Sequence, residues 1–137
     1  MKKNVIWWVG IKNPNLSEKY GNFEYFEYSK KTWQHFCERY NCEFVEFSEP
    51  IEDDMFKFRV NWQKSIFVFD ELERRNIDYD QIALVDSSFM IKWNAPNFFD
   101  LTDHKFTAWY DKDNMRWIYD SIQGYKDFFD GFKLDQS

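Results

Sequence analysis

The chain contains few residues of the types that build several common kinds of functional site. Only 4 glycines occur among 137 residues, and they are scattered, so the sequence lacks the glycine-rich loop of Walker-type phosphoryl-transfer proteins. The 2 cysteines, Cys37 and Cys42, are too few for an extracellular disulfide scaffold and lack the spacing of a zinc site. We therefore expect both thiols to be reduced and buried, and the protein to be cytoplasmic.

The sequence also lacks an excess of positive charge and a long apolar segment. The formal net charge is -6, whereas nucleic-acid binding depends on clustered Lys and Arg, so we expect no nucleic-acid partner. No stretch is long enough to span a membrane, and the apolar run of residues 5–9 is too short for a signal peptide. The acidic net charge does not exclude a nucleotide pocket, since such a pocket needs only a few local donors or a metal.

Aromatic residues, by contrast, are abundant. They make up 23% of the chain, as 16 Phe, 8 Tyr and 7 Trp, within a composition that is 44% hydrophobic and 31% charged. Such a composition is typical of a globular protein, and 137 residues suffice for one domain, which we assign to residues 1–137. Part of the aromatic set must be core, and the rest could stack on a base or sugar or cover a partner interface.

The hydrophobic patterns alternate between strand and helix. Short apolar runs predict strands at residues 5–11, 42–47 and 82–85, and helical spacing predicts helices at residues 29–40 and 59–75. Strands that alternate with helices predict an α/β fold with a mainly parallel sheet flanked by helices. A further strand is predicted near residues 89–93, another at 105–110, and a last helix at 115–129.

Each of the two predicted crossover helices carries an apolar stripe. In the first, Ser29 is the predicted N-cap and Asn41 the predicted left-handed residue after the helix. Its stripe consists of Trp33, Phe36, Cys37 and Tyr40. The stripe of the second consists of Trp62, Ile66, Phe69 and Leu72. Asn76 is predicted to end the second helix.

Polar residues follow the third predicted strand directly. Four apolar residues lead into Asp86, Ser87 and Ser88, and the first strand ends at Val9 and Gly10. Asp and Ser are ordinary turn residues, but in open α/β sheets ligands bind at the carboxyl ends of the strands. The alternation of strands and helices favours a ligand site here.

These residues resemble a known family. Residues 79–91, with Trp62-Gln63-Lys64 before them and residues 94–101 after them, resemble the N-terminal nucleotide-binding half of a GT-A-fold glycosyltransferase, a nucleotide-diphospho-sugar transferase. The resemblance implies a Rossmann-like GT-A architecture. It also implies that the protein binds a nucleotide-diphosphate sugar and transfers the sugar to an acceptor.

The resemblance also implies roles for individual residues. In the family a buried strand ends in Asp-x-Asp, which binds Mn²⁺ or Mg²⁺ and so neutralises the diphosphate. By position Asp86 is the first Asp and the metal ligand, while Ser88 stands in place of the last, so the motif is degenerate. Lys64 matches a basic residue that could meet a phosphate. The implied nucleotide-sugar site comprises Val9, Gly10, Lys64, Asp86, Ser87 and Ser88.

The chain departs from the family in length as well. The acceptor-binding half lies beyond the last residue, so we expect a domain truncated relative to the full family. We assign no catalytic base, and the candidates by residue type alone are Asp103, Asp111 and Asp113. Neither His35 nor His104 matches the family's C-terminal metal-binding histidine.

Two other functions are compatible with the sequence. The first is a non-catalytic, GT-A-derived binding or interaction module, for which a homo-oligomer or a partner protein would complete the missing half. The second is a phosphoryl-transfer protein, which can also place an Asp after a parallel strand, but a second Asp two residues on is missing. Nucleophilic chemistry at Cys37 is disfavoured because this residue lies on the apolar face of its helix.

Overall fold

The computed structural model describes residues 2–54 and 59–108 of the chain. Backbone contacts divide the chain into two compact units, residues 1–105 and residues 106–137. The helices and strands of the described residues lie in the first unit.

A three-stranded parallel sheet forms the centre of this unit. Its strands are β1 (Lys3–Val9), β2 (Glu43–Phe47) and β3 (Tyr79–Asp86), in the order β2-β1-β3. The three predicted strands are therefore present, and β1, the most apolar of them, is central and buried over its last five residues. The chain thus winds from β1 to one neighbour and then crosses to the other side.

Helices flank the sheet. They are α1 (Tyr25–Tyr40), α2 (Val60–Ile66), α3 (Val68–Arg74) and α4 (Phe99–Thr102), and two 3₁₀ turns, Pro14–Leu16 and Gly21–Phe23, precede α1. A small parallel sheet flanked by helices confirms the predicted α/β class and is compatible with a Rossmann-like fold. No helix in the described part of the chain is both long and apolar enough to cross a membrane.

Helix α1 begins one turn before the predicted start. Ser29 is therefore a buried residue inside the helix and not its N-cap, so that prediction is wrong. Its hydroxyl has partners elsewhere in the fold, and they could not be read from the local sequence. Asn41 does end the helix in the left-handed region, with φ 54°, and the predicted stripe of Trp33, Phe36 and Cys37 is buried.

The second predicted helix is interrupted at Phe67, whose φ of -93° and ψ of 2° separate α2 from α3. The predicted apolar face is wrong for Ile66 and Phe69, which are 50% and 58% exposed. Leu72 is buried as predicted, together with three residues outside the predicted stripe, Gln63, Val68 and Glu71. Because the helix breaks, spacing counted through Phe67 does not identify one continuous face.

Adjacent tryptophans in β1 point to opposite faces of the sheet. Trp8 packs with Phe26, Trp33 and Phe36 on the α1 face. Trp7 packs with Val68 and Leu72 of α3 on the other face. Both indoles are at most 1% exposed, so each face of β1 is closed by one tryptophan.

Residues 89–93 do not form the predicted strand. Side chains of α1 hold this segment by its backbone: Ser29 Oγ and Trp33 Nε1 donate to the Phe89 carbonyl at 2.5 and 3.1 Å. Further along, the Tyr40 hydroxyl donates to the Ala95 carbonyl at 2.7 Å. Residues 105–108 are not a strand either, and the remainder of that prediction and the predicted helix at 115–129 lie outside the described residues.

Candidate functional site

Lys64 and Asp86 form an ion pair at the carboxyl end of β3. The Lys64 Nζ lies 2.7 Å from Asp86 Oδ1 and 2.9 Å from Oδ2, so one ammonium binds both carboxylate oxygens. The two side chains are 24% and 39% exposed. Two residues that the family resemblance placed in one site, 22 positions apart in sequence, are therefore in direct contact and reachable from solvent.

The sheet and α2 fix the two partners independently. Asp86 is the last residue of β3 and lies opposite Val9 in the β1–β3 register, so it projects on the same face as Val9 and Trp7. Trp7 Nε1 donates to the Lys64 carbonyl at 3.1 Å. A fully buried indole therefore holds the last turn of α2 against β1, which sets the height of Lys64 above the strand end.

The ion pair lies where the winding of the sheet reverses. Strand β1 has β2 on one side and β3 on the other, and all three strands run parallel. In sheets of this kind the crevice for ligands lies outside the carboxyl ends at the point of reversal, here between β1 and β3. Val9 and Asp86 lie opposite each other at that point. The sequence predicted that each follows a strand, but not that the two strands are neighbours.

The backbone of this edge is tied together just beyond the strands. Ser87 N donates to the Val9 carbonyl at 3.0 Å, and Gly10 N donates to the Phe47 carbonyl at 2.9 Å. Phe89 N donates to the Asp86 carbonyl at 3.0 Å and closes a turn across Ser87 and Ser88. The two serines thus follow Asp86 in a fixed turn at the same edge, with Ser88 exposed.

Gly10 has a packing role that sequence reasoning did not identify. A Cβ at this position would lie 2.0 Å from Cζ3 of the Trp8 ring, well inside van der Waals contact. The glycine therefore leaves room for the Trp8 indole, which folds back over the end of β1. This packing explains why Gly stands here without invoking a ligand.

A cavity of about 330 Å³ opens on the opposite face of the same edge. It lies between the ends of β1 and β2 and the first turns of α1, and it does not include Lys64 or Asp86. Its lining combines aromatic and charged side chains, among them Trp8, Phe26, Lys12, Lys30, Glu46 and Glu49. Gly10 borders it, so the cavity and the ion pair lie on either side of the end of β1.

The charges in the cavity are partly paired. Lys30 Nζ lies 2.8 Å from Glu46 Oε1 and 5.3 Å from the centroid of the Trp8 ring, while Lys12 Nζ lies 6.0 Å from the centroid of Phe26. Sequence reasoning missed these residues. The signal for Lys12 was its place two residues beyond Gly10, but Lys30 and Glu46 required the packing of α1 on β2.

The side chains around Asp86 do not form a suitable set of ligands for a resident Mn²⁺ or Mg²⁺. These ions take several oxygen ligands, yet both oxygens of Asp86 are bonded to an ammonium and Ser88 supplies only a neutral hydroxyl. Among residues 2–54 and 59–108, no group of three or more His, Cys, Asp or Glu side chains is placed to hold a metal ion. The described residues at this edge therefore do not form a site for a resident divalent ion.

The candidates for a catalytic base gain no support from their surroundings. Asp103 is 80% exposed and pairs with Lys105 at 2.8 Å, and His104 Nε2 lies 3.2 Å from Asp80 Oδ2 at the surface. His35 is exposed on α1. Asp111 and Asp113 lie outside the described residues. The surroundings of Asp103, His104 and His35 therefore give none of them the role of the base.

The two cysteines are buried and carry no disulfide, as predicted. They meet at the C-terminal end of α1, where Cys42 N donates to the Cys37 carbonyl at 3.0 Å. Burial raises the pKa of Cys37 to about 12, and the neighbouring Cys42 adds to the effect. A thiol with so high a pKa is protonated at neutral pH, which agrees with the expectation that Cys37 is not a nucleophile.

Comparison of the chain with protein-family models, with curated proteins and with solved structures gives no match. The resemblance to GT-A-fold glycosyltransferases stays a prediction based on short motifs. The fold class and the Lys64–Asp86 contact, by contrast, are features of the structure itself. The fold class and this contact are therefore the basis for a functional assignment.

Proposed function

We propose that the protein binds a nucleotide-diphosphate sugar at the carboxyl ends of β1 and β3, as a glycosyltransferase-like protein that transfers the sugar to an acceptor. The observation that carries the proposal is the Lys64–Asp86 pair at the reversal point of a parallel sheet. A cation held at that edge is suited to an anionic ligand. Transfer itself is what the family resemblance adds.

The surroundings of the pair support a ligand with two chemically different ends. The ion pair and the hydroxyls of Ser87 and Ser88 suit phosphate oxygens and sugar hydroxyls. Across the end of β1, the cavity of about 330 Å³ falls in the size range of small-ligand pockets. Its aromatic walls, Trp8 and Phe26, suit a planar or apolar ligand face. A nucleotide sugar laid over Gly10 would use both places.

A second function is favoured by a different observation. The large side chains of Phe89, Met90 and Trp93 are 65%, 63% and 77% exposed, just past the turn that holds Asp86. Exposed apolar side chains in one short segment are typical of an interaction surface. The alternative is therefore a non-catalytic binding module derived from the same fold, acting as a homo-oligomer or with a partner protein.

We also propose that the protein acts in the cytoplasm. The support is its pair of buried, unlinked cysteines, since secreted domains of this size usually carry disulfides.

Thermal unfolding against a panel of ligands tests the proposal. The panel contains UDP, GDP, ADP and CDP and their common sugars, each with EDTA and with Mn²⁺. A ligand that binds only the folded protein stabilises it by about 2.7 kcal/mol at a hundredfold excess over its dissociation constant, which raises the melting temperature. At least one nucleotide should produce this shift.

Variants locate the site within the same assay. Lys64→Met should reduce the shift to about half or less, while Lys92→Met, which removes an exposed lysine of the 89–95 segment, should leave it unchanged. If no nucleotide or nucleotide sugar shifts the melting temperature, the proposal is wrong and the interaction module becomes the better description. Sedimentation across a range of protein concentrations would then test self-association directly.

A further inference from the structure

We propose that the protein binds its diphosphate without a divalent metal ion, and that the Lys64 ammonium, positioned by Asp86, occupies the place a metal would take. This inference rests on the proposed function, because it specifies how that same site holds its anionic ligand. It reverses the role that the family resemblance implies for Asp86. The carboxylate becomes the residue that positions a protein cation.

The geometry of the ammonium supports this role. A lysine ammonium has three N–H donors, and among the described residues Lys64 uses its ammonium on the two oxygens of Asp86 alone, at 2.7 and 2.9 Å. A donor therefore remains for an oxygen of a ligand. With 24% of its side chain exposed, Lys64 can offer that donor to a phosphate that approaches the strand end from solvent.

The ammonium is also held in place before any ligand arrives. The Lys64 carbonyl accepts a hydrogen bond from the buried indole of Trp7. The ammonium at the other end of the residue is bound by Asp86, which pairs with Val9 in the β1–β3 register. Both ends of a long, flexible side chain are thus fixed to the sheet. Positioning a cation in advance lowers the ordering cost that lysine otherwise incurs when it binds an anion.

A divalent ion at the same carboxylate would have to displace this ammonium. Mn²⁺ or Mg²⁺ bound to Asp86 would lie within a few ångströms of Lys64 Nζ, and two cations at that separation repel each other strongly. The other ligands that such an ion needs are not supplied by a cluster of acidic or histidine side chains in residues 2–54 or 59–108. The ion pair and the metal are therefore alternatives at this position.

Ser88 fits the same interpretation. A second carboxylate at this position would repel a phosphate that no metal screens. A serine hydroxyl can instead donate a hydrogen bond to a phosphate oxygen. Serine at position 88, in place of the family's last Asp, therefore makes a poorer metal site and a better metal-free anion site. Binding of the anion without a metal explains both this serine and the Lys64–Asp86 ion pair.

Calorimetric titration separates this inference from the proposed function. The probes are UDP, GDP, ADP, CDP and inorganic pyrophosphate, each titrated in EDTA and again in Mg²⁺ or Mn²⁺. We expect one nucleotide to bind in EDTA with a dissociation constant within about threefold of its value in metal. Binding that requires metal would overturn the inference and leave the proposed function standing. Absence of binding in every condition would overturn both.

Two substitutions sharpen the test. Asp86→Asn removes the carboxylate charge but keeps an oxygen that can accept from Lys64, so affinity in EDTA should stay within about threefold or increase. A metal-bound diphosphate would instead lose most of its affinity in this variant. Lys64→Met should weaken binding at least about tenfold, the size of a charge-assisted hydrogen bond, and Lys92→Met is its matched control. Melting curves without ligand establish that each variant is folded.

Discussion

The two faces of the sheet perform different tasks, and the two adjacent tryptophans of β1 show the difference. On the α1 face, the Trp8 indole donates to a buried serine hydroxyl, Ser29 Oγ, at 3.1 Å. On the opposite face, the Trp7 indole donates to the backbone of α2 beside a partly exposed lysine, Lys64. The first bond lies within the aromatic cluster that packs between α1 and the sheet. The second holds a charged side chain at the carboxyl edge, where we propose that the ligand binds.

The helices on the two faces also differ, both in length and in what their side chains contact. Helix α1 is 16 residues long and pins the segment after Asp86 through several side-chain bonds to its backbone. Helices α2 and α3 have 7 residues each and are separated at Phe67. Helix α1 holds the segment after Asp86 in place, and α2 carries the charged residue Lys64 at the same edge. Substitutions on the two faces should therefore separate stability from ligand binding.

Gly10→Ala should have the largest effect on stability, because the added methyl group meets a buried indole. The new Cβ would lie 2.0 Å from the Trp8 ring, so the indole or the strand end must move. We expect a loss of about 3 kcal/mol in the free energy of unfolding, the upper range for overpacked cores. Urea denaturation measures it.

Gly21→Ala is the matched control for this substitution. No atom lies within 4 Å of the Cβ it would add, but Gly21 has φ +55°, which costs roughly 1 kcal/mol for a residue with a side chain. Equal losses for the two alanines would show that the Trp8 ring yields easily, and that the α1 face is less closely packed than described.

Ser29→Ala should have the next largest effect. Ser29 is 1% exposed, accepts from Trp8 Nε1 at 3.1 Å and donates to the Phe89 carbonyl at 2.5 Å. Its loss leaves a buried indole N–H without an acceptor, which costs about 2 kcal/mol. The exposed Ser65 of α2 provides the comparison, since Ser65→Ala should change stability by less than about 0.5 kcal/mol. Similar values for both would refute the role of Ser29.

Glu71→Gln should have the smallest effect and should depend on pH. Glu71 accepts from Arg74 Nε and Nη2 at 2.8 Å each and from Arg75 Nε at 3.2 Å. The hydrogen bond from Arg74 is the main reason that the pKa of Glu71 lies below its ordinary value of 4.5, and Arg75 adds to it. A lowered folded-state pKa stabilises the protein above the unfolded value.

The stabilising contribution of Glu71 is therefore complete above about pH 4.5 and is lost as the pH falls through the lowered pKa. At pH 7 the glutamine variant should be only about 1 kcal/mol less stable, because the side chain of Arg74, the main partner, is 66% exposed and solvent screens the pair. The difference from wild type should shrink towards acid pH. Glu73→Gln, at an exposed position of the same helix, is the matched control at pH 7. A pH-independent difference at Glu71 would rule out the ionic explanation.

The sequence predicted those parts of the fold that depend on local pattern. The apolar run before Asp86, the stripe of Trp33, Phe36 and Cys37, and the left-handed Asn41 are all determined by short-range preferences. Ser29 illustrates what could not be predicted. A serine near a helix start is usually a cap, and only the packing of α1 on Trp8 and on residues 89–95 makes this one a buried acceptor and donor.

The candidate site divides in the same way. That Asp86 follows a strand could be read from the sequence, and so could the prediction that Lys64 lies on the preceding helix. The expectation that this strand is buried was wrong, since β3 is only partly covered and Leu84 is 51% exposed. That the two form an ion pair depends on the height of α2 above β1, which the Trp7 indole sets. The exposure of Ile66 and Phe69 was missed because the helix breaks at Phe67, which the spacing of apolar residues does not show.

Amide chemical shifts of the ¹⁵N-labelled protein, recorded during titration with the nucleotide diphosphate that stabilises it most, test the central claim most directly. The account predicts that the largest changes fall at Gly10, Lys64 and residues 86–88, and that they appear in EDTA. Changes confined to the exposed segment around Phe89 and Trp93, with the signals of Gly10 and Lys64 unmoved, would contradict a ligand site at the carboxyl ends of β1 and β3.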